Sequence, residues 1–157
     1  MQELGAEQRA LFRRWPAGVS VVVVADVEGH RAGLTVSSLV SVSLEPRLIG
    51  ISVAKGASLH ELLRDAGSWA VSILSGEQEQ LAQHFARGVP PIALWNGIDV
   101  RDDDPRLLVG AVGWATARTV DEVGTGDHTF FVGELLSIEE GTAATSLAYV
   151  HREYRAL

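Results

Sequence analysis

The sequence predicts a mainly β fold, an antiparallel β-barrel with short accessory helices. Many segments are β-branched or alternate between apolar and polar residues, which is typical of strands. Few segments show helix starts, and strands and helices do not alternate regularly as a doubly wound sheet requires. The 157 residues fit one domain, without an internal repeat or a low-complexity linker.

The first elements are a helix and a strongly β-branched strand. Residues 3–14 have a sparse apolar side, and Pro16 stops this amphipathic helix. Val19 to Val24 is a run typical of a buried strand. From Leu34 to Leu44 apolar and hydroxyl residues alternate, so we expect a strand with one apolar face. The alternation slips at residues 38–39, which predicts a bend or bulge there.

Two capping-box patterns predict helix starts in the middle of the chain. Ser58 to Glu61 opens a helix that ends at Gly67. Ser75 to Gln78 opens a second helix. The apolar positions of these helices are Leu59, Leu62 and Leu63 in the first, where we expect them to be buried, and Leu81, Phe85 and Ala86 in the second. Two further strands are predicted at Leu48 to Val53 and at Trp69 to Leu74.

The last third of the chain begins with an irregular segment, residues 88–105, which contains Pro-Pro, Asn-Gly and a run of aspartates. Two long strands follow, Leu107 to Val120 and His128 to Ile138, joined by a turn at Gly124 to Asp127. A final strand or extended segment holds Leu147, Tyr149 and Tyr154.

Composition excludes several functional classes. The 13 basic and 20 acidic residues give a net charge of -7, without the basic footprint of a duplex nucleic-acid binder. No apolar stretch approaches the ~20 residues of a membrane span, so we expect no membrane partner. The chain has no cysteine, which removes disulfides and thiolate metal sites and fits a cytoplasmic location. The five histidines are scattered, and we expect no metal site.

No self-sufficient catalytic motif is present. The sequence lacks a phosphate-binding loop of the Walker type, a complete dinucleotide-binding glycine fingerprint and a nucleophile elbow. If the protein is an enzyme, a cofactor therefore supplies the chemistry.

Two polar clusters suggest how a ligand is bound. In the segment from Gly33 to Ser38, exposed hydroxyls and backbone N–H groups at a bend can bind a flat polar heterocycle, although an edge strand with a solvated Ser/Thr face explains the same residues. The segment from Ala54 to Ser58 precedes a helix whose N-terminus attracts phosphate. It contains Lys55, the only lysine of the chain; an ordinary helix cap with a solvated lysine is the alternative.

Two further clusters carry a histidine and aromatic residues. Gly126, Asp127 and His128 form a turn at a barrel mouth, where the imidazole can contact a planar ligand; a surface histidine is the alternative. Tyr149 and Arg152 lie near the C-terminus with Tyr154, and a terminal strand packing an aromatic ring explains them equally.

Taken in order, these segments resemble a known family. The matching residues are Phe12, Pro16 to Val19, Gly33, Thr35, Val36 and Ser38, then Ser43, Leu44 and Pro46, and finally Gly126 to His128. This pattern is similar to the flavin reductase-like domain, the short-chain NAD(P)H:flavin oxidoreductases with an FMN-binding split barrel. The resemblance implies a Greek-key split β-barrel in a single domain over residues 1–157, with the barrel core at about 11–154.

The resemblance also assigns residues to a flavin site. Thr35, Val36, Ser37 and Ser38 would contact the isoalloxazine ring. Ala54, Lys55 and Ser58 would hold the ribityl chain and phosphate. Phe85 and Ala86 match a pair near the flavin, and Tyr149 and Arg152 would close the site. His128 would line the nicotinamide side, positioning or polarising rather than transferring an obligatory proton.

The function implied is hydride transfer from NADH or NADPH to FMN or FAD. The resemblance also implies that the protein is a homodimer and that it supplies the reduced flavin to a separate monooxygenase. A non-reductase FMN protein, either an electron carrier or a flavin-binding module, is the alternative, and a barrel that has lost flavin is a third. The choice of flavin and of nicotinamide stays open. Residues 88–105 also stay open: they shape the nicotinamide groove, the flavin preference or a partner surface.

Overall fold

A computed structural model describes residues 2–157, with side chains from Leu4 onward. The helices are α1 (Gln2–Phe12), α2 (Ser58–Ala66) and α3 (Glu79–Ala86). The strands are β1 (Ala17–Gly18), β2 (Ser20–Ala25), β3 (Arg31–Val36), β4 (Val40–Leu44), β5 (Arg47–Ala54), β6 (Ser68–Ile73), β7 (Gly113–Thr125), β8 (His128–Glu140), β9 (Leu147–Val150) and β10 (Glu153–Ala156). All paired strands are antiparallel, which confirms the predicted mainly β, antiparallel architecture with short helices.

The strands form two sheets. One has seven strands in the order β3-β2-β6-β7-β8-β5-β4, and the other has three in the order β1-β9-β10. Between residues 2 and 157 the ladder of the larger sheet does not close on itself, because β3 and β4 remain its edges. These two strands are joined by a bend at residues 37–39, which confirms the bend predicted there, although the segment from Leu34 to Leu44 forms two strands instead of the one that was expected.

β2 is buried on both faces, which explains its unbroken run of valines. Val22 and Val24 lie in a core that also contains Leu63 of α2, while Val21 and Val23 lie in a second core that contains Phe85 of α3. A strand covered on both faces gains from apolar residues at every position. α2 and α3 therefore cover opposite sides of the same strand, and each helix is held beside the sheet by its own core.

Both predicted capping boxes are wrong in detail. α2 does begin at Ser58, but its N-cap is Ala57, and no side chain caps it. α3 begins at Glu79 rather than directly after Ser75. One of the two capping-box hydrogen bonds is nevertheless present, because the Gln78 side chain accepts the Ser75 N–H (2.9 Å), and it tightens a turn that precedes the helix. Leu62, predicted to be buried, is 42% exposed, because α2 turns Leu59 and Leu63 toward the core.

Other boundaries differ where the chain folds back on itself. The end of α2 at Gly67 is confirmed: this residue has φ 68° and donates its N–H to the Leu63 carbonyl. The predicted strand from Leu107 starts only at Gly113, since residues 107–109 pair with residues 99–101 instead of extending β7. Residues 88–105 are irregular, as predicted. No helix within residues 2–157 is long and apolar enough to cross a membrane.

Candidate functional site

The polar clusters of the sequence are numbered in chain order: residues 33–38, 54–58, 126–128 and 149–154. The second and third clusters meet where β5 and β8 end. Ala54, the last residue of β5, pairs with His128, the first residue of β8. One step further, the Lys55 N–H donates to the Asp127 carbonyl at 2.9 Å. The segment before α2 and the turn before β8 are therefore neighbours, although they lie far apart in the sequence.

The first cluster is fastened to the same strand through Ser38. Its hydroxyl donates to the Ser52 carbonyl (2.9 Å) and accepts the Ser52 N–H (3.0 Å). Ser52 lies two residues before Ala54 on β5. The bend between β3 and β4 is thereby held beside the second and third clusters, and the hydroxyl of Ser38 is bonded within the protein.

The predicted ring-binding residues divide into bonded and free groups. The Thr35 hydroxyl donates to the Ala82 carbonyl of α3 at 2.6 Å, and Val36 is buried in the first core. Ser37 is exposed, and its side chain has no hydrogen-bond partner among the described residues. Ser37 and the backbone of the bend are therefore the groups left for a ligand, whereas Thr35 and Ser38 fix the shape of the corner.

Phe85 packs against β3, the strand that leads into this bend. Its side chain is only 2% exposed, and its ring fills the space where Gly33 of β3 lacks a side chain. A Cβ built at Gly33 would lie 2.8 Å from Phe85 Cε1, so the close approach requires glycine. Ala86 is exposed at the end of α3. Phe85 thus acts on the site through β3.

The N-terminus of α2 offers several hydrogen-bond donors. In the part of the chain described, the backbone N–H groups of Gly56, Ser58 and Leu59 have no acceptor. The Ser58 hydroxyl is exposed and makes no capping bond, and Lys55 Nζ lies about 4.0 Å from an ideal Cβ at Gly124, without a bonded acceptor among these residues. Unpaired N–H groups at a positive helix end, with an ammonium group beside them, match the chemistry of a phosphate.

His60 anchors this helix end, and sequence reasoning missed that role. It is buried, and its Nδ1 lies 2.9 Å from Glu61 Oε1 while its Nε2 lies 2.7 Å from Thr129 Oγ1. Since an ionised carboxylate only accepts, Nδ1–H donates to Glu61 and the Thr129 hydroxyl donates to Nε2. The first turn of α2 is therefore tied to β8, one residue after His128. The only sequence signal was a histidine at a helix position facing the core.

His128 is half-exposed and oriented by its neighbour. Its Nδ1 lies 2.7 Å from Asp127 Oδ1, and its side chain is 44% exposed. The hydrogen bond from this imidazole lowers the pKa of the Asp127 carboxyl. Because the ionised carboxylate accepts a hydrogen bond from Nδ1–H, the Nε2 of a neutral imidazole is left as an acceptor.

The fourth cluster lies in the small sheet and its turn. Tyr149 pairs with Ala17 in the small sheet, and its ring lies 4.9 Å from that of Tyr154. Arg152 is exposed in the β9–β10 turn, where its φ is 63°. Among the described residues, no hydrogen bond or ion pair joins Tyr149 or Arg152 to the start of α2 or to the β3–β4 bend.

Comparisons of the sequence and of the structure with known proteins both find flavin reductases. The family model of the flavin reductase like domain matches residues 12–157. A NADH:FMN oxidoreductase of Rhodococcus qingshengii is 32% identical over 156 residues, covering 94% of this chain and 79% of its own. A NADH-dependent FAD reductase of Streptomyces globisporus is 32% identical over 152 residues, covering 94% and 82%.

Solved structures show the same fold over nearly the whole chain. The flavin reductase component of a bacterial two-component tryptophan halogenase superposes with a TM-score of 0.88 at 30% identity, covering 98% of both chains. The Streptomyces globisporus NADH:FAD oxidoreductase in complex with NAD and FAD fragments superposes with a TM-score of 0.90 at 29% identity, covering 100% of this chain and 94% of that one.

Removing the Ser38 hydroxyl is expected to destabilise the fold. Ser38→Ala leaves the Ser52 N–H and carbonyl without their partner, which costs about 1–3 kcal/mol of unfolding free energy. Ser37→Ala is the matched control, with an expected change within about 0.5 kcal/mol, because its exposed hydroxyl is unbonded. Denaturant unfolding measures both; equal stability of the two variants would contradict the structural role of Ser38.

Proposed function

Because the chain belongs to the flavin reductase-like domain family, we propose that it is an NAD(P)H-dependent flavin reductase, an oxidoreductase that transfers hydride from NADH or NADPH to FMN or FAD. The observation that carries this function is the convergence of three groups at the ends of β5 and β8. These groups are Lys55, the free N–H groups of α2 and His128. The first two suit a flavin phosphate, and the third suits a second planar substrate.

The hydrogen-bond donors form two groups, one suited to the phosphate of the flavin and one suited to its ring. Lys55, Ser58 and the free N–H groups of α2 would bind the phosphate, with Ala54 beside the ribityl chain. Ser37 and the backbone of the bend would face the ring. Thr35 and Ser38 hold this bend through their hydrogen bonds, and Val36 is buried beneath it. Phe85 packs against Gly33 of β3, and Ala86 follows it at the end of α3. N–H donors fixed in place before binding stabilise negative charge without reorganisation, and the flavin supplies the redox chemistry.

His128 would orient the nicotinamide. With its Nδ1–H given to Asp127, the neutral imidazole offers Nε2 as an acceptor, which matches the N–H₂ donor of a carboxamide. This favours positioning over proton transfer, because a fixed acceptor holds the ring in a reactive orientation. Tyr149, in the central strand of the small sheet, and Arg152, in the β9–β10 turn, are the residues proposed to close the site.

We also propose a homodimer and a separate monooxygenase that accepts the reduced flavin. Strands β4 and β8 leave large apolar side chains exposed: Val40, Val42, Leu44, Leu136 and Ile138. Ile138 also lines a cavity of about 280 Å³, together with Leu39 and Ile49. Exposed apolar patches of this kind fit an interface between two copies. Sedimentation of a single-chain mass at micromolar concentration would exclude the dimer.

Two finer assignments belong to the same proposal. The Greek-key split barrel is the description of the sheet that the family implies, with the opening between the edges β3 and β4. The cytoplasm is the proposed location, because a chain without cysteine suits a reducing compartment.

Oxidation of NADH and NADPH by the purified protein tests the function. We expect consumption that requires added FMN or FAD and saturates with it, since the flavin is then a diffusible substrate. A yellow protein that oxidises neither nicotinamide would instead identify a flavin-binding carrier. Absence of both turnover and flavin binding would overturn the proposal.

Lys55→Ala is expected to weaken flavin binding. Loss of a charged hydrogen bond to the phosphate costs about 1–3 kcal/mol, which corresponds to a roughly 5- to 150-fold higher Kd. Lys55→Arg is the matched control, because it keeps the charge at the same position. Fluorescence titration with FMN measures all three proteins, and an unchanged Kd for Lys55→Ala would remove this residue from the phosphate site.

His128→Ala is expected to lower kcat with NADH by about tenfold or more, because the nicotinamide loses an orienting contact. The Kd for FMN should change little, since the phosphate donors of α2 are intact. Steady-state rates at saturating FMN, together with flavin titration, separate the two effects. Wild-type turnover, or a loss of flavin affinity equal to the loss of rate, would contradict this role.

A further inference from the structure

A second cavity lies beside α2, away from the end of the helix that holds Lys55. It has a volume of about 510 Å³, within the range of about 300–1,000 Å³ typical of small-molecule sites. Its walls are the β2–β3 turn, the second half of α2 and Pro91 of the irregular segment. None of its lining residues belongs to the site described above.

The lining combines apolar walls with a polar rim. Val27, Leu62 and Pro91 contribute apolar surface, and Leu62 is one of the large apolar side chains that the fold leaves exposed. Asp65 is exposed and has no hydrogen-bond or ion-pair partner among the described residues. Apolar walls with a few acceptors suit a heteroaromatic ring that carries an amine and a sugar that carries hydroxyls.

One wall is held in place through Arg31, which lines the cavity. The Arg31 guanidinium lies 4.0 Å from the centroid of the Trp95 ring and donates to the Pro105 carbonyl, while the Trp95 indole N–H donates to the Arg31 carbonyl at 3.0 Å. Residues 88–105 are thereby attached to the edge of β3. The cavity is therefore preformed, which lowers the entropic cost of binding.

The turn that forms the other wall is also fixed. Asp26 Oδ1 accepts the N–H groups of Glu28 and His30, each at 2.9 Å, and Asp26 Oδ2 lies 3.1 Å from His30 Nδ1. Asp26 and Glu28 both bring negative charge to this turn. With Arg31 already engaged by Trp95 and Pro105, the rim favours groups that donate hydrogen bonds over an additional phosphate.

The cavity continues the phosphate site along one face of α2. Ser58, Leu62 and Asp65 are spaced four and three residues apart, so they project from the same face of the helix. Leu62 lies about 6 Å along the axis from Ser58, at 1.5 Å per residue. A ligand whose phosphate lies at the start of α2 reaches the cavity by following this face.

We propose that this cavity binds the adenosine moiety of FAD, so that the protein prefers FAD to FMN. The inference rests on the proposed function, because it takes the flavin phosphate to lie at Lys55 and Ser58. The adenine ring packs against Leu62, Val27 and Pro91, and its amine or the ribose hydroxyls donate to Asp65. FMN ends at its phosphate and leaves the cavity empty.

Leu62→Trp tests the assignment by filling the cavity, and Leu62→Ala is the matched control that leaves it open. For the wild type we expect a Kd for FAD about tenfold below that for FMN. Leu62→Trp should abolish this difference by raising the FAD Kd about tenfold while the FMN Kd changes less than twofold. Leu62→Ala should retain most of the preference. Adenosine, which has no phosphate, should compete with FAD but not with FMN.

The possible failures are distinguishable. Wild-type protein that binds neither flavin would overturn the proposed function itself. Equal affinity of the wild type for FMN and FAD, or equal losses for both flavins in Leu62→Trp, would overturn the adenosine site while leaving the reductase intact. A higher KM for NADH with FMN as acceptor, at unchanged FAD affinity, would assign the cavity to the nicotinamide cofactor and overturn its assignment to FAD.

Discussion

The register between β5 and β8 is the constraint on which the candidate site depends. Ile51 pairs directly with Phe131, and both side chains are completely buried in the first core. A slip of one residue would turn Phe131 out of the core, so packing fixes the register strongly. Because Ala54 and His128 end the same ladder, the packing that stabilises the sheet also sets the distance between the segment before α2 and the turn before β8.

Around this ladder, the polar groups divide between those used by the fold and those left for ligands. Thr35, Ser38 and His60 bond to other elements and join β3, β5 and β8 to their neighbours. Ser37 and Lys55 make no such bonds among the described residues. Such a division preorganises the candidate site, because the groups available to a ligand are attached to backbone that other hydrogen bonds already hold in place. It also explains why a cluster of hydroxyls can be partly structural and partly functional.

Sequence patterns identified the elements well, and long-range contacts account for what they missed. The valines of β2 and the break at residues 38–39 are local signals, and both were correct. The pattern from Ser58 to Glu61 has the letters of a capping box, but the Glu61 carboxylate binds His60 and Arg64 instead. Likewise, the bond from Ser38 to Ser52 depends on strand pairing that no local pattern encodes. The four clusters were therefore found from the sequence, but the hydrogen bonds and strand pairing that join three of them were not.

Helix α2 connects the polar groups at the ends of β5 and β8 to the irregular segment of residues 88–105. Its first turn is anchored by His60 to β8, whereas its second half faces the β2–β3 turn and Pro91. Ligand specificity in scaffolded sites commonly lies in such loops, because they vary without disturbing the core. Here the stacking of Arg31 on Trp95 holds the loop against β3. Under the proposed adenosine site, the length and sequence of residues 88–105 would set how much of a flavin nucleotide is bound, while the ladder of β5 and β8 would keep the reacting end unchanged.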